Sequence, residues 1–104
     1  MKIYYTKKDS FRDFIMGVEF LKKIGKIPNE SNFKNTHVLV AEVRESDYED
    51  VWMLFNSDDN PLIKKQDSYE ELGIGHTSMS VGDVIEDQDG CFMMVDRFGF
   101  VKIF

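Results

Sequence analysis

Hydrophobic positions along the chain alternate between a period of two and a period near 3.6, and the switches divide it into strands and helices. Residues 2–6, Lys-Ile-Tyr-Tyr-Thr, form a short β-rich first strand. Phe11, Phe14, Ile15, Val18 and Leu21 follow at helical spacing, and Phe20 and Ile24 widen that stripe. Ser10 predicts the N-cap of this helix. Asp13 sits in its first turn, Lys22 and Lys23 in its last, and Gly25 marks the C-cap. One continuous helix is therefore expected, followed by a loop over 26–35 that holds Pro28 and three asparagines.

The run His37-Val38-Leu39-Val40-Ala41-Glu42-Val43 is apolar nearly throughout. That pattern predicts a central strand covered on both faces, with the first helix on one of them. Ser46 and Glu49 form a Ser-x-x-Glu capping box that opens a second helix, with Tyr48, Val51, Trp52 and Phe55 on its apolar side. Residues 56–60 and Pro61 end it. Residues 57–74 are polar and irregular, with a helical turn at Ser68–Leu72 before Gly73.

Beyond Gly75 the period of two returns. Val81, Val84 and Ile85 lead to a reversal at Asp89-Gly90, a dipeptide that accepts the positive φ of hairpin turns. Phe92–Val95 is the return strand. A second reversal near Arg97-Phe98-Gly99 leads to a last strand over 100–103. The expected architecture is α+β: two helices packed on a small, mainly antiparallel sheet of about five strands, ending in a C-terminal β-meander. Residues 1–104 are expected to form a single domain.

Composition narrows the functions available. The 104 residues are 42% hydrophobic and 31% charged, enough for a core and for solubility. The net charge of −6 disfavours direct nucleic-acid binding, which needs clustered cations. Lys7-Lys8, Lys22-Lys23, Lys26 and Lys64-Lys65 are dispersed and read as solvated positions. A single cysteine, Cys91, excludes an intrachain disulfide and a cysteine-based zinc site. No apolar run approaches a membrane span, and the N-terminus lacks an export signal, so a cytoplasmic protein with no membrane partner is expected.

No catalytic constellation stands out. Cys91 lies beside the hairpin turn with no base near it in sequence, and Ser78 and Ser80 lie outside any Gly-x-Ser-x-Gly elbow. His37 reads as a residue flanking its strand. His76, at the entry to the β segment, is the better functional candidate. Asn56, Asp58, Asn60 and Asp67 have the spacing of a calcium loop, but Pro61 stands where that loop needs glycine. Neither a metal nor a cofactor is expected. Glu86-Asp87-Gln88-Asp89 reads as the solvated tip of a hairpin. Asp83, after Gly82, is placed to accept backbone N–H groups in a turn, and Asp96 lies at the next junction.

The run Gly75-His76-Thr77-Ser78-Met79-Ser80-Val81-Gly82-Asp83-Val84-Ile85, with Gly90, Val95-Asp96 and Phe98-Gly99-Phe100, resembles the C-terminal signature of YodL-like domains. Those carry a similar Ser-(Leu/Met)-Ser-Val-(Gly/Ser)-Asp-Val-(Ile/Val) element and a Val-Asp-x-x-Gly-Phe ending. Tyr48 to Asn56 resembles a helix that precedes this element in short bacterial and phage-type proteins. The resemblance covers residues 46–104, and the first 45 resemble nothing known. It implies a compact module found in phage and mobile-element settings, with no catalytic residue or cofactor to carry over.

Two functions compete. One is a non-enzymatic protein-binding module, a small acidic phage or mobile-element factor acting on a host protein. Trp52, Phe55, Tyr69 and Phe98 are its candidate anchors, with His76 and Ser78 as further binding candidates. A DNA-mimicking version would gather Asp47, Glu49, Asp50, Asp58, Asp59, Glu70 and Glu71 on one face. The other is a small-molecule or nucleotide-binding β-barrel-like domain, with a hydrolytic variant, which requires His76, Ser78, Asp83 and Asp96 to converge on a pocket.

Overall fold

The computed structural model describes residues 1–104 in full. Its strands are β1 (Lys2–Thr6), β2 (His37–Glu42), β3 (Val84–Glu86), β4 (Phe92–Asp96) and β5 (Gly99–Lys102). They form one antiparallel sheet in the order β2-β1-β3-β4-β5. Five short helices accompany it: α1 (Phe11–Phe14), α2 (Val18–Lys23), α3 (Phe33–Thr36), α4 (Tyr48–Phe55) and α5 (Tyr69–Leu72). A 3-10 helix over Ile63–Ser68 runs directly into α5. The α+β reading and the C-terminal meander hold; the helices are more numerous and shorter than the periodicity predicts.

The sheet has a core on each face. Ile3, Tyr5, Val40, Ile85 and Val95 pack with Val51 and Phe55 of α4, and with Leu62, Ile74 and Met79. Val84 and Met94 point the opposite way and pack with Phe14, Val18, Leu21 and Phe33 from α1, α2 and α3. Adjacent residues on one strand thus serve opposite cores, as the pleat requires. At about 25 cal/mol per Å² of apolar surface, these two layers supply most of the drive to fold.

The expected first helix is broken. Gly17 has φ 96°, so α1 ends before it and α2 starts after it. The amide of Val18, at the start of α2, donates to Asp96 Oδ1 at 3.2 Å, which ties α2 to the end of β4. The break rotates the stripe: Phe14, Val18 and Leu21 stay buried, while Ile15 and Ile24 emerge into solvent. Ser10 makes no side-chain cap. Gly25 does terminate α2, in a Schellman motif whose two bonds run from Gly25 N–H to Lys22 O and from Lys26 N–H to Leu21 O.

Other boundaries shift for local reasons. β2 is an edge strand and not a central one: it pairs only with β1, and Leu39 is 46% exposed. The loop over 26–35 leads into α3, whose Phe33 drops into the second core. α4 is capped by Asp47 and not by Ser46. Asp47 has the extended backbone an N-cap needs, and its carboxylate accepts the Glu49 N–H at 2.8 Å. Val81 lies in a turn ahead of β3, not in a strand. No helix is long and apolar enough to cross a membrane.

Candidate functional site

Two places combine polar chemistry with shape: the loop over 74–83, and a groove beside α4. The loop is the more polar and the more tightly fixed. Asp83 is fully buried at its end, and its carboxylate gathers donors from two segments, the end of β1 and the loop itself. Thr6 N–H donates at 2.9 Å, Ser80 N–H at 2.8 Å, and His76 Nε2 lies 2.9 Å from Oδ2. The end of β1, the loop and the start of β3 are thereby joined at one side chain. Burial pushes the Asp83 carboxyl above the usual carboxylate range, and His76 and the two amides oppose that rise.

The rest of the loop is fastened in the same way. Tyr5 Oη donates to Thr77 O at 2.7 Å, and Asn60 Nδ2 donates to Thr77 O and to Phe55 O. Tyr69 Oη sits 2.6 Å from Thr77 Oγ1, and Asn56 Nδ2 reaches Met79 O. Tyr5 is buried, and its hydroxyl is held well above the ordinary tyrosine range. Asn60 also accepts the Leu62 N–H at 2.8 Å. Its amide is thus fully used inside the fold, which accounts for one member of the calcium-like spacing.

The two histidines approach the same short turn from opposite faces of the sheet. His76 stacks on Tyr5 with ring centroids 4.5 Å apart and lies against Phe11 at 4.6 Å. Its Nε2 faces Asp83, and its Nδ1 is buried without a partner. Neither nitrogen is open to a substrate. His37 is buried in the second core, stacked on Phe33 at 4.6 Å. Its Nε2 lies 2.8 Å from Gly82 O, and Thr36 Oγ1 lies 2.8 Å from its Nδ1. The carbonyl can only accept, so Nε2 carries the proton. Burial lowers His37 to about 4, so the ring is neutral at neutral pH. It is a core residue, not one that merely flanks a strand.

Gly82 itself has φ 98°, and a Cβ there would stand 2.6 Å from Phe14 Cβ and 2.9 Å from Phe14 O. Only glycine fits where α1 crosses this turn. The Ser80-Val81-Gly82-Asp83 run therefore joins strand, turn and helix.

The groove lies between α4 and the β4–β5 turn. It measures about 500 Å³ and is lined by Glu49, Trp52 and Met53 of α4, with Val81, Val95, Asp96, Arg97, Gly99 and Phe100 opposite. Two smaller clefts, of about 150 and 360 Å³, surround Met1 and Asp87 and are mostly polar. In the second, Tyr48 Oη donates to Asp87 Oδ2, which raises the tyrosine to about 12 and lowers the carboxylate. Asp87 also accepts the Asp89 and Cys91 N–H groups, so it organises the hairpin and is no idle surface charge.

The predicted site residues separate accordingly. His76 and Asp83 are in contact, Ser78 is exposed with no side-chain bond, and Asp96 lines the groove while holding Val18. None of the three clefts is lined by His76, Ser78 or Asp83. The sheet also has two open edges, β2 and β5, so it does not close into a barrel. Among the aromatic candidates, Phe55 is fully buried and cannot anchor an interface, and the Tyr69 hydroxyl is spent on Leu62 O and Thr77. Trp52 forms one wall of the groove, and Phe98 is fully exposed at the turn beside it.

Of the seven acids, Asp47 caps α4 and Glu49 lines the groove. Asp50, Asp58, Asp59, Glu70 and Glu71 are exposed, and none of the seven is in an ion pair. Met53, Arg97 and Phe100 were not marked by sequence reasoning. A signal for Met53 was present: Glu49, Trp52 and Met53 stand at i, i+3 and i+4, one face of α4 beside its buried one.

The model of the YodL-like domain matches residues 1–104, and the chain belongs to that family. The match includes the first 45 residues, which on their own resembled nothing; β1 lies between β2 and β3 in the sheet, so those residues are integral to the domain. No curated protein and no solved structure matches the chain.

Proposed function

We propose that this YodL-like domain is a non-enzymatic protein-binding module, and that it meets its partner at the groove between α4 and the β4–β5 turn. The observation that carries this reading is the groove's composition. Trp52, Met53 and Phe100 offer apolar surface, Phe98 stands fully exposed beside it, and Glu49 and Arg97 supply charge at the rim. Aromatic and arginine anchors with a polar rim are the usual make-up of a binding hot spot. His76, Asp83 and Asp96, three of the four residues a catalytic reading needs, are spent on internal bonds, and the fourth, Ser78, is exposed away from them. As the acting factor of a phage or mobile element, the domain would engage a host protein in the cytoplasm.

The test is affinity capture from the native host with wild-type protein and a Trp52→Ala, Phe98→Ala double variant. A stoichiometric partner lost by the variant supports the reading. Equal recovery by both proteins, or recovery of none, would count against it. The acidic residues give a second reading as a DNA mimic weaker support, because the Asp47 carboxylate is engaged at the α4 N-cap and Asp58 lies beyond the other end of that helix.

A further inference from the structure

The edge of the sheet beside the groove is unpaired, and its geometry defines what can fill it. Val95 N–H bonds to Asp83 O, and Gly82 N–H bonds to Val95 O, so both backbone groups of Val95 face β3. Val95 is paired with Phe100 across the β4–β5 ladder. In an antiparallel pair this makes Val95 and Phe100 a non-hydrogen-bonded pair, and the N–H and C=O of Phe100 point away from β4. By alternation Val101 bonds to Met94, and the N–H and C=O of Lys102 also point outward. β5 is the last strand in the sheet, so these four groups form an open ladder.

The open ladder is continuous with the groove. Phe100 supplies two of its four outward groups, while its side chain packs against Tyr48 and lines the groove under α4. A strand laid about 4.8 Å outside β5 would direct alternate side chains toward that groove. Charge sets the pattern of its sequence. Glu49 and Asp96 line the groove and disfavour an acidic side chain inside it. Arg97 and Lys102 are exposed at the two ends of β5, and neither is in a salt bridge. A second copy is a poor occupant, since each chain carries a net charge of −6.

We infer that β5 accepts an extended segment of a partner protein as a sixth strand, with an apolar residue of that segment in the groove and acidic residues near Arg97 and Lys102. This rests on the protein-binding reading and specifies the partner's form. Backbone pairing supplies affinity, and the groove and the two cations supply selectivity. Lys102 is suited to test it, because its N–H takes no part in the β4 ladder and proline is tolerated at such edge positions.

The probe is a displayed library of short random peptides, selected on the intact domain. Enriched peptides are expected to carry an apolar residue flanked by acids. On binding, the Phe100 and Lys102 amides should become protected from hydrogen exchange. Lys102→Pro should weaken binding roughly tenfold and Lys102→Ala only about two- to threefold, since the first removes a ladder bond as well as the charge. Should Lys102→Pro lower the melting temperature, Lys102→Glu replaces it, with acidic peptides expected to lose about tenfold in affinity. Peptides that need Met53 but ignore Lys102→Pro, and leave both amides unprotected, would overturn strand addition while the protein-binding reading stands. Selection of no binder overturns the inference too. So does a dimer by sedimentation that Lys102→Pro disperses, which would give the edge to a second copy.

Discussion

The loop over 74–83 and the groove beside α4 use similar residue types for opposite ends. Both hold aromatic rings, carboxylates and glycine. In the loop every carboxylate oxygen and nearly every polar side chain faces a partner inside the fold, with Asp83 and His76 at its centre. In the groove, Arg97 and Glu49 have no ion pair, and Phe98 touches mostly solvent. Satisfaction separates them. A polar cluster with its bonds already made is a joint, and the surface with bonds still to make is where we propose the partner sits.

The sharpest way to break this comparison is to disable the joint. Asp83→Ala leaves the Thr6 and Ser80 amides and His76 Nε2 without their acceptor in a buried site. A loss of roughly 3–5 kcal/mol is expected, a large share of the stability of a small domain. Urea titration of the variant checks it. A midpoint close to wild type would mean that the carboxylate is not structural, and the loop would again be a candidate site. Gly82→Ala should follow at roughly 2–4 kcal/mol, from the strained φ of 98° and the collision with Phe14.

The same contrast accounts for what could be read before the fold was known. The C-terminal meander was legible because its signals are local: Asp89-Gly90 and Gly99 sit where the chain reverses, and the period of two persists between them. Asp83 was readable as an acceptor of backbone N–H groups for the same reason. The break at Gly17 was not readable, because the carboxylate that meets the Val18 amide belongs to Asp96, far away in sequence. His37 was likewise misplaced, since its partner Gly82 O lies 45 residues away. The groove needed α4 and the β4–β5 turn together, and no single stretch of sequence holds both.

Titration should distinguish the two histidine-bearing faces of the joint. His37 has a folded pKa of about 4 against an ordinary value near 6.5. Between those values the unfolded chain binds the proton and the folded one does not, so stability falls as pH drops from 6.5 toward 4. The loss should reach about 3 kcal/mol. Asp83 acts in the opposite direction: its raised pKa makes the folded state the better proton binder, so its share of stability falls as pH rises above the ordinary carboxylate value of 3.8. Melting the His37→Gln variant across this range should remove the first slope and leave the second exposed. An unchanged acid slope would mean that His37 is not the buried neutral ring described above.

The smallest effect on stability is expected in the groove, and its smallness is the point. Phe98 lies in the two-residue loop between Asp96 and Gly99, and its ring touches neither core. Phe98→Ala should shift stability by no more than about 0.5 kcal/mol, the range of an ordinary surface change. The sheet, the Asp83 joint and both cores stay as they were. Any loss of partner capture by this variant, measured beside an unchanged melting curve, therefore belongs to the surface alone. A matched loss of stability would instead place Phe98 in the packing of the β4–β5 turn, and the division between joint and surface would fail at the residue where it is most exposed.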